Sequence, residues 1–306
     1  MSQVIIQSLP SGASDAKRLA SRLGVAATEI AIHRFPDGDL GVTVAPAAPA
    51  TIIYAPLDRP NEKLLSILFA AEALRRNGAE RLVLVAPYLC YMRQDAAFHP
   101  GEAISQKAVG RFLAGLVDRV ITVDAHLHRT ANIHDVFPGI EADNLSAMPA
   151  IADSLQAVGL DPRTVVVGPD AESRPWVSEL ATRLGVAHAV AQKTRRGDRS
   201  VEVALTDPRV VQGRPVLLVD DIVSSGGTLV GCARNIIEAG AISVDAIVTH
   251  ALFPPDTIGE LVRAGIRSIR STSSVPHPTN AIALDGVLAA ALRNEIGDGD
   301  SAETST

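Results

Sequence analysis

The segment Val216–Leu229, VLLVDDIVSSGGTL, gathers residue types that together can do chemistry. An apolar run leads straight into two carboxylates, Asp220 and Asp221, and then into Ser224, Ser225, Gly226, Gly227 and Thr228, after which a helical period begins. Small residues let main-chain N–H groups converge on one anion at the positive end of a helix, and glycine permits the close approach that a phosphate needs. The hydroxyls of Ser224, Ser225 and Thr228 add donors. The acidic pair repels a phosphate, so it reads either as acceptors for sugar hydroxyls or as a holder of Mg2+ through water. Phosphate and diol together point to a phosphorylated sugar. No Lys follows the glycines as in a Walker A loop, and the G-x-G-x-x-G of a dinucleotide site is absent.

A second cluster is His126-x-His128, with His134 beyond it. Residues i and i+2 of a strand share a face, so the pair has the geometry for one metal, and zinc hydrolysis is the competing reading. No carboxylate–histidine set of metallohydrolase spacing follows it. His33, His99, His188, His250 and His277 are scattered and read as structural or surface residues.

Such groups need a scaffold. Aromatics are 3% of 306 residues, so the core must be built from Val, Ile, Leu and Ala. Short β-branched runs without polar alternation recur at Val4–Ile6, Thr51–Tyr54, Leu82–Ala86, Val120–Val123, Thr164–Val167, Val216–Val219 and Val244–Val248, as expected of strands covered on both faces. Helical periods fall between them at Asn61–Asn77, Ser105–Leu116, Pro175–Leu184 and Thr228–Ala239, with stop signals at Gly24, Gly78, Gly185 and Gly240. The alternation predicts a doubly wound α/β fold. LVLVAP at 82–87 followed by VITVD at 120–124 echoes VVVGP at 165–169 followed by VLLVD at 216–220, which predicts two similar halves, 1–147 and 148–296. Residues 297–306 are Gly, Ser, Thr, Ala and acid without periodicity and read as a disordered tail.

A chain of this length buries roughly 75% of its unfolded surface and needs neither a disulfide nor a structural metal. Cys90 and Cys232 stand alone among apolar residues, which suits a reducing compartment. With no signal-peptide pattern and no membrane-length apolar run, the expected location is the cytoplasm. Lys and Arg total 28 against 34 acids, a formal charge of −6, which lacks the basic excess for nucleic acid.

VDDIVSSGGT resembles the phosphoribosyl-diphosphate binding motif, and further segments narrow the likeness to the ribose-phosphate diphosphokinases. RFPDGD at 34–39 is similar to that family's RFPDGE, YLCYMRQD at 88–95 to Y-x-x-YARQD, and PGEAISQK at 100–107 to PGEPISAK. VITVDAH at 120–126, ADNLSAMP at 142–149, GPD at 168–170 and Lys193-Thr-Arg195 follow in the family's order across nearly the whole chain.

The resemblance implies two similar domains of the phosphoribosyltransferase type, each with a mainly parallel sheet. It also implies a reaction in which the anomeric hydroxyl of ribose 5-phosphate attacks the β-phosphorus of ATP and AMP leaves. Lys193 and Arg195 then become catalytic cations, in a polar stretch Lys193–Ser200 that reads as a flexible lid. Asp220, Asp221 and the residues from Ser224 to Thr228 take ribose 5-phosphate. His126 and Asp170 match metal positions, for Mg2+. Phe35, Asp37 and Asp39 join Arg93, Gln94, Asp95 and His126 around ATP, in a pocket that the family completes from a neighbouring subunit; at least a dimer is implied. The chain departs from the pattern at Ser224 and Ser225, at Glu172 and Ser173 after Asp170, at Asp39 in place of Glu and at Met92 in place of Ala. The alternatives are a phosphoribosyltransferase, which would share the loop but has no need of RFPDGD or RQD, and a non-catalytic regulatory homologue, which has no need of Lys193 and Arg195.

Overall fold

The computed structural model describes residues 3–196, 200–205 and 207–296, so the tail expected at 297–306 lies outside the described residues. The chain forms two units, one running to Leu145 and resuming at Leu284, the other spanning Ser146–Ala283. The first contains β1 (Val4–Ser8), α1 (Ala13–Leu23), β2 (Ala26–Glu29), β3 (Ala31–Arg34), β4 (Leu40–Thr43), β5 (Ala50–Tyr54), α2 (Pro60–Arg76), β6 (Arg81–Ala86), α3 (Ser105–Ala114), β7 (Arg119–Val123) and β8 (Glu141–Leu145). Its sheet has the order β2-β1-β5-β6-β7-β8, and every pair is parallel. β3 and β4 form a separate antiparallel hairpin.

The second unit contains α4 (Met148–Val158), β9 (Val165–Gly168), α5 (Arg174–Leu184), β10 (Ala187–Arg196), β11 (Ser200–Leu205), β12 (Pro215–Val223), α6 (Gly227–Glu238), β13 (Ser243–Ala251), α7 (Thr257–Arg263), β14 (Ile266–Thr272) and β15 (Asn280–Ile282). Its order is β11-β10-β9-β12-β13-β14-β15, parallel except for the edge strand β11. The apolar runs became strands because both faces are covered: Leu82–Ala86 and Val165–Val167 are fully buried. Each such Val, Leu or Ile contributes roughly 1.5–3 kcal/mol when removed from water.

The two sheets repeat one topology, but not in the alignment that the sequence echo suggested. β1 corresponds to β9, β2 to β10 and β5 to β12, whereas the echo set β6 and β7 against β9 and β12. Buried parallel strands share one composition, so they match by type irrespective of place. Several strands escaped the apolar reading for the opposite reason: β3 is exposed throughout, and β2 and β8 are largely half-buried or exposed.

The second half does not run on to 296 as expected. The helix α8 (Asp285–Ile296) belongs to the first unit, where ion pairs fix it to the amino ends of the sheet. Glu295 accepts from Arg81 Nε at 2.6 Å, Arg81 Nη2 at 2.8 Å and Arg119 Nη1 at 2.8 Å. Arg119 also donates to Asp143 from Nε at 2.8 Å, and Arg22 Nε reaches Asp285 at 2.6 Å. The Glu295 side chain is only 5% exposed. Burial alone would raise its pKa, but hydrogen bonds from Arg81 and Arg119 outweigh that and hold the carboxyl below the ordinary glutamate range.

Replacing Glu295 with Ala should therefore destabilise the protein by about 2 kcal/mol, since it removes the charge-assisted hydrogen bonds of two guanidinium groups, although Arg119 keeps Asp143 and Arg81 keeps Glu141. Because the folded-state pKa is depressed, the stabilisation is complete above the unfolded glutamate value of about 4.3 and is lost as pH falls through the folded value. Urea titrations at pH 7 and at pH 3.5 test this: the gap between wild type and Glu295→Ala should narrow at the lower pH.

Candidate active site

β12 extends four residues past its expected end, so Asp220 and Asp221 lie within the strand, whose pairing continues through Ile222↔His250 and Val223↔Ala251. Successive side chains of a strand point to opposite faces. Asp221 is 4% exposed and accepts from Ile222 N–H at 2.8 Å, whereas Asp220 is half-buried and is the more accessible of the two. Ser224 and Ser225 are exposed beyond the strand. Gly226 caps α6 at φ +81°, a left-handed conformation that glycine adopts without strain. Space dictates glycine there as well, because a Cβ would stand 2.6 Å from Thr257 Cγ2. The cap residue, a glycine, has no side chain of its own to satisfy the donors of the first turn, an arrangement that suits an anion.

The neighbouring strand ends bring in the other polar groups. β9 stops at Gly168, and Asp170 then accepts from Glu172 N–H at 3.1 Å while its carbonyl accepts from Ser173 Oγ at 2.6 Å. Burial pushes the Cys232 thiol up to about 12, and the charges of Asp220 and Asp170 push the same way. β9 and β12 are paired in parallel, so Asp170 and Asp220 follow at the same edge of the sheet. β10 lies on the other side of β9, with Val190 opposite Gly168, so the backbone of Lys193–Arg196 runs on past the end of β9.

That stretch is not the free loop expected for Lys193–Ser200. Lys193 pairs with Val203, Arg195 with Val201 and Arg196 with Ser200 in an antiparallel ladder, while 197–199 lie outside the described residues. SVEVAL at 200–205 alternates apolar and polar residues with period two, the signal that would have predicted the partner strand.

In the first unit, β7 is followed by buried Asp124 at φ +40°, whose N–H donates to Leu145 O at 2.8 Å. Asn144 Oδ1 accepts from Ala125 N–H at 2.7 Å, so it shapes the turn that presents His126; sequence reasoning gave Asn144 no role. His126 meets His128 edge to face, ring centroids 3.6 Å apart.

Arg93–Asp95 follow β6 in a separate network. Gln94 Nε2 donates to Glu102 at 2.6 Å, and Asp95, with 3% side-chain exposure, accepts from Arg129 at 2.8 Å. Phe35, Asp37 and Asp39 occupy the tip of the β3–β4 hairpin, where Phe35 N–H donates to Asp39 O at 2.8 Å and the half-exposed Phe35 ring lies across Gly41. Each of these two sets, expected around one nucleotide, has its own hydrogen bonds, and both border the start of α2, where Arg34 pairs with Glu62 and Tyr91 Oη donates to Asn61 at 2.6 Å.

Residues 4–116 match the family model described as the N-terminal domain of ribose phosphate pyrophosphokinase, and 147–258 match the phosphoribosyl transferase domain. Ribose-phosphate pyrophosphokinase of Methanopyrus kandleri is 33% identical over 95% of this chain and 99% of its own length. Ribose-phosphate pyrophosphokinase 2 of Archaeoglobus fulgidus is 33% identical over 87% of this chain and 92% of its own. The crystal structure of phosphoribosylpyrophosphate synthetase from Mycobacterium smegmatis superposes with a TM-score of 0.84 at 25% identity, covering 97% of this chain and all of that one. Two repeats of one parallel α/β design, a glycine loop at the strand edge of the second and full-length relatives of a single kind lead to one conclusion: the chain belongs to the ribose-phosphate pyrophosphokinase family.

Proposed function

We propose that the protein transfers the β,γ-diphosphoryl group of ATP to the anomeric hydroxyl of ribose 5-phosphate, giving 5-phosphoribosyl 1-diphosphate and AMP. The observation that carries this reading is the loop after β12. An open α6 terminus, Gly226 at φ +81° and exposed Ser224 and Ser225 suit the 5-phosphate, and Asp220 beside them suits a ribose diol. Asp221, more deeply buried, completes the acidic pair. Gly227 and Thr228 begin the helix and contribute first-turn donors.

Phosphoryl chemistry calls for positioning and charge neutralisation more than for covalent help. Lys193 and Arg195 supply the cations, carried by the β10 backbone past the edge of β9. Asp170 and Asp220 are oxygen donors at one edge of the sheet, the ligand type that Mg2+ accepts. His126, in the first unit, enters as a metal position through the family resemblance alone. When bound, Mg2+ would neutralise charge on the diphosphoryl group; this chain's residues orient the hydroxyl and shield it from water.

The adenine side falls to Phe35, Asp37, Asp39, Arg93, Gln94, Asp95 and His126. The resemblance to a family whose nucleotide pocket is completed by a neighbouring subunit makes the proposed working form at least a dimer. Buried thiols, with the Cys90 and Cys232 pKa values raised to about 12 by burial, fit a reducing cytoplasm. Among the described residues no helix is long and apolar enough to cross a membrane.

Incubation with ribose 5-phosphate and Mg-ATP should yield AMP and phosphoribosyl diphosphate in equal amounts. ADP in place of AMP, or no turnover, would sink the proposal; consumption of added phosphoribosyl diphosphate with a purine base would favour the transferase alternative. Lys193→Ala should lower kcat by about 10²–10³ while the KM for ATP stays within a few-fold, the pattern of a contact made in the transition state. Asp220→Asn should raise the KM for ribose 5-phosphate by roughly tenfold, the effect of losing one charge-assisted hydrogen bond. An unchanged sugar KM would remove Asp220 from the binding site.

A further inference from the structure

We propose that His277 is a positioning residue for the glycine loop, acting through the turn at 252–257; the proposal rests on the ribose-phosphate role assigned to that loop. Three contacts connect the parts. Leu252 N–H donates to the carbonyl of Val223, the residue before Ser224, at 2.9 Å. Phe253 O accepts from His277 Nε2 at 3.0 Å. Thr257, whose N–H closes the turn on Pro254 O at 2.9 Å, presents Cγ2 where a side chain on Gly226 would have to go. The turn is therefore tied to both ends of the loop, at Val223 and at Gly226, and His277 holds it between those points.

The hydrogen bonds fix the chemistry of the imidazole. Thr279 N–H points to His277 Nδ1 at 3.3 Å and Thr279 Oγ1 lies 2.7 Å from the same nitrogen. A main-chain N–H can only donate, so Nδ1 is the acceptor and the ring proton sits on Nε2, directed at Phe253 O. Phe253 is 2% exposed and meets the imidazole edge to face, centroids 4.5 Å apart. Burial lowers the pKa of His277, which favours this neutral form. Pro276 and Pro278 flank the residue and restrict its backbone, so little freedom is lost in making these contacts. Pro254, Pro255 and Asp256 of the turn are exposed, and neither proline can donate a main-chain hydrogen bond.

Two variants of the full-length enzyme test the role, each read by kinetics and by amide hydrogen exchange. His277→Ala should raise the KM for ribose 5-phosphate by roughly tenfold, about the weight of one hydrogen bond, with kcat and the KM for ATP changed by less than about twofold. Exchange in the peptide covering 222–230 should quicken by about as much. His277→Gln, which keeps a terminal N–H donor, should recover both readouts. Equal rises in both KM values, unchanged exchange at 222–230, or a Gln variant no better than Ala would each overturn the proposal. If the wild type makes no phosphoribosyl diphosphate while His277→Ala still quickens exchange at 222–230, the support of the loop by His277 stands and the catalytic reading fails.

Discussion

Parallel pairing of β9 with β12 is the constraint from which the rest of the candidate site follows. Parallel strands all end at the same edge, and chain direction reverses its progress across the sheet between these two: β10 and β11 are laid down on one side, β13 to β15 on the other. The connections leaving β9 and β12 therefore diverge and leave a crevice at their carboxyl ends. Asp170, Asp220 and the backbone of Lys193 are far apart in sequence, yet register alone delivers them to one edge. Nothing local in any of the three segments specifies the other two.

The same design occurs in the first unit with different chemistry at the corresponding turn. After β5 the chain reads APLDRP, without glycine, and α2 opens on Pro60, which has no N–H to offer. Lys63 Nζ donates to Pro56 O at 2.8 Å and to Asp58 at 2.6 Å, so a cation of the protein itself satisfies acceptors in that turn. Neither helix has a side-chain cap, but α6 opens on Gly227 and Thr228, which keep the main-chain N–H groups that Pro60 lacks. A shared fold thus carries a glycine loop in one half and a self-satisfied turn in the other, and loop residues decide between them.

Much of this was legible before any coordinates. Continuous Val, Ile and Leu runs marked the central strands because two-sided burial demands them, and the left-handed glycines at Gly24 and Gly185 ended helices where expected. Boundaries drifted where pattern and hydrogen bonding part company: β12 continues through Asp220 and Asp221 because the ladder to β13 tolerates polar side chains near its end. Strands such as β2 and β8 were harder to see, since half-exposed residues carry no apolar run, and the polar stretch Lys193–Ser200, where β10 ends and β11 begins, reads as a loop from its composition. The contributions of Asn144, Thr257 and His277 were invisible, because each acts on a residue distant in sequence through one carbonyl, one amide or one methyl group.

The attachment of α8 through Glu295 also has a bearing on biosynthesis. The first unit cannot complete its ion-pair cluster until residues 285–296 have left the ribosome, whereas every strand of the second unit lies in the continuous stretch Ser146–Ala283. Vectorial synthesis then inverts the usual order, in which the amino-terminal domain folds first. The sheet made earliest waits longest for its last helix, and the half bearing the glycine loop is the first that has all its parts.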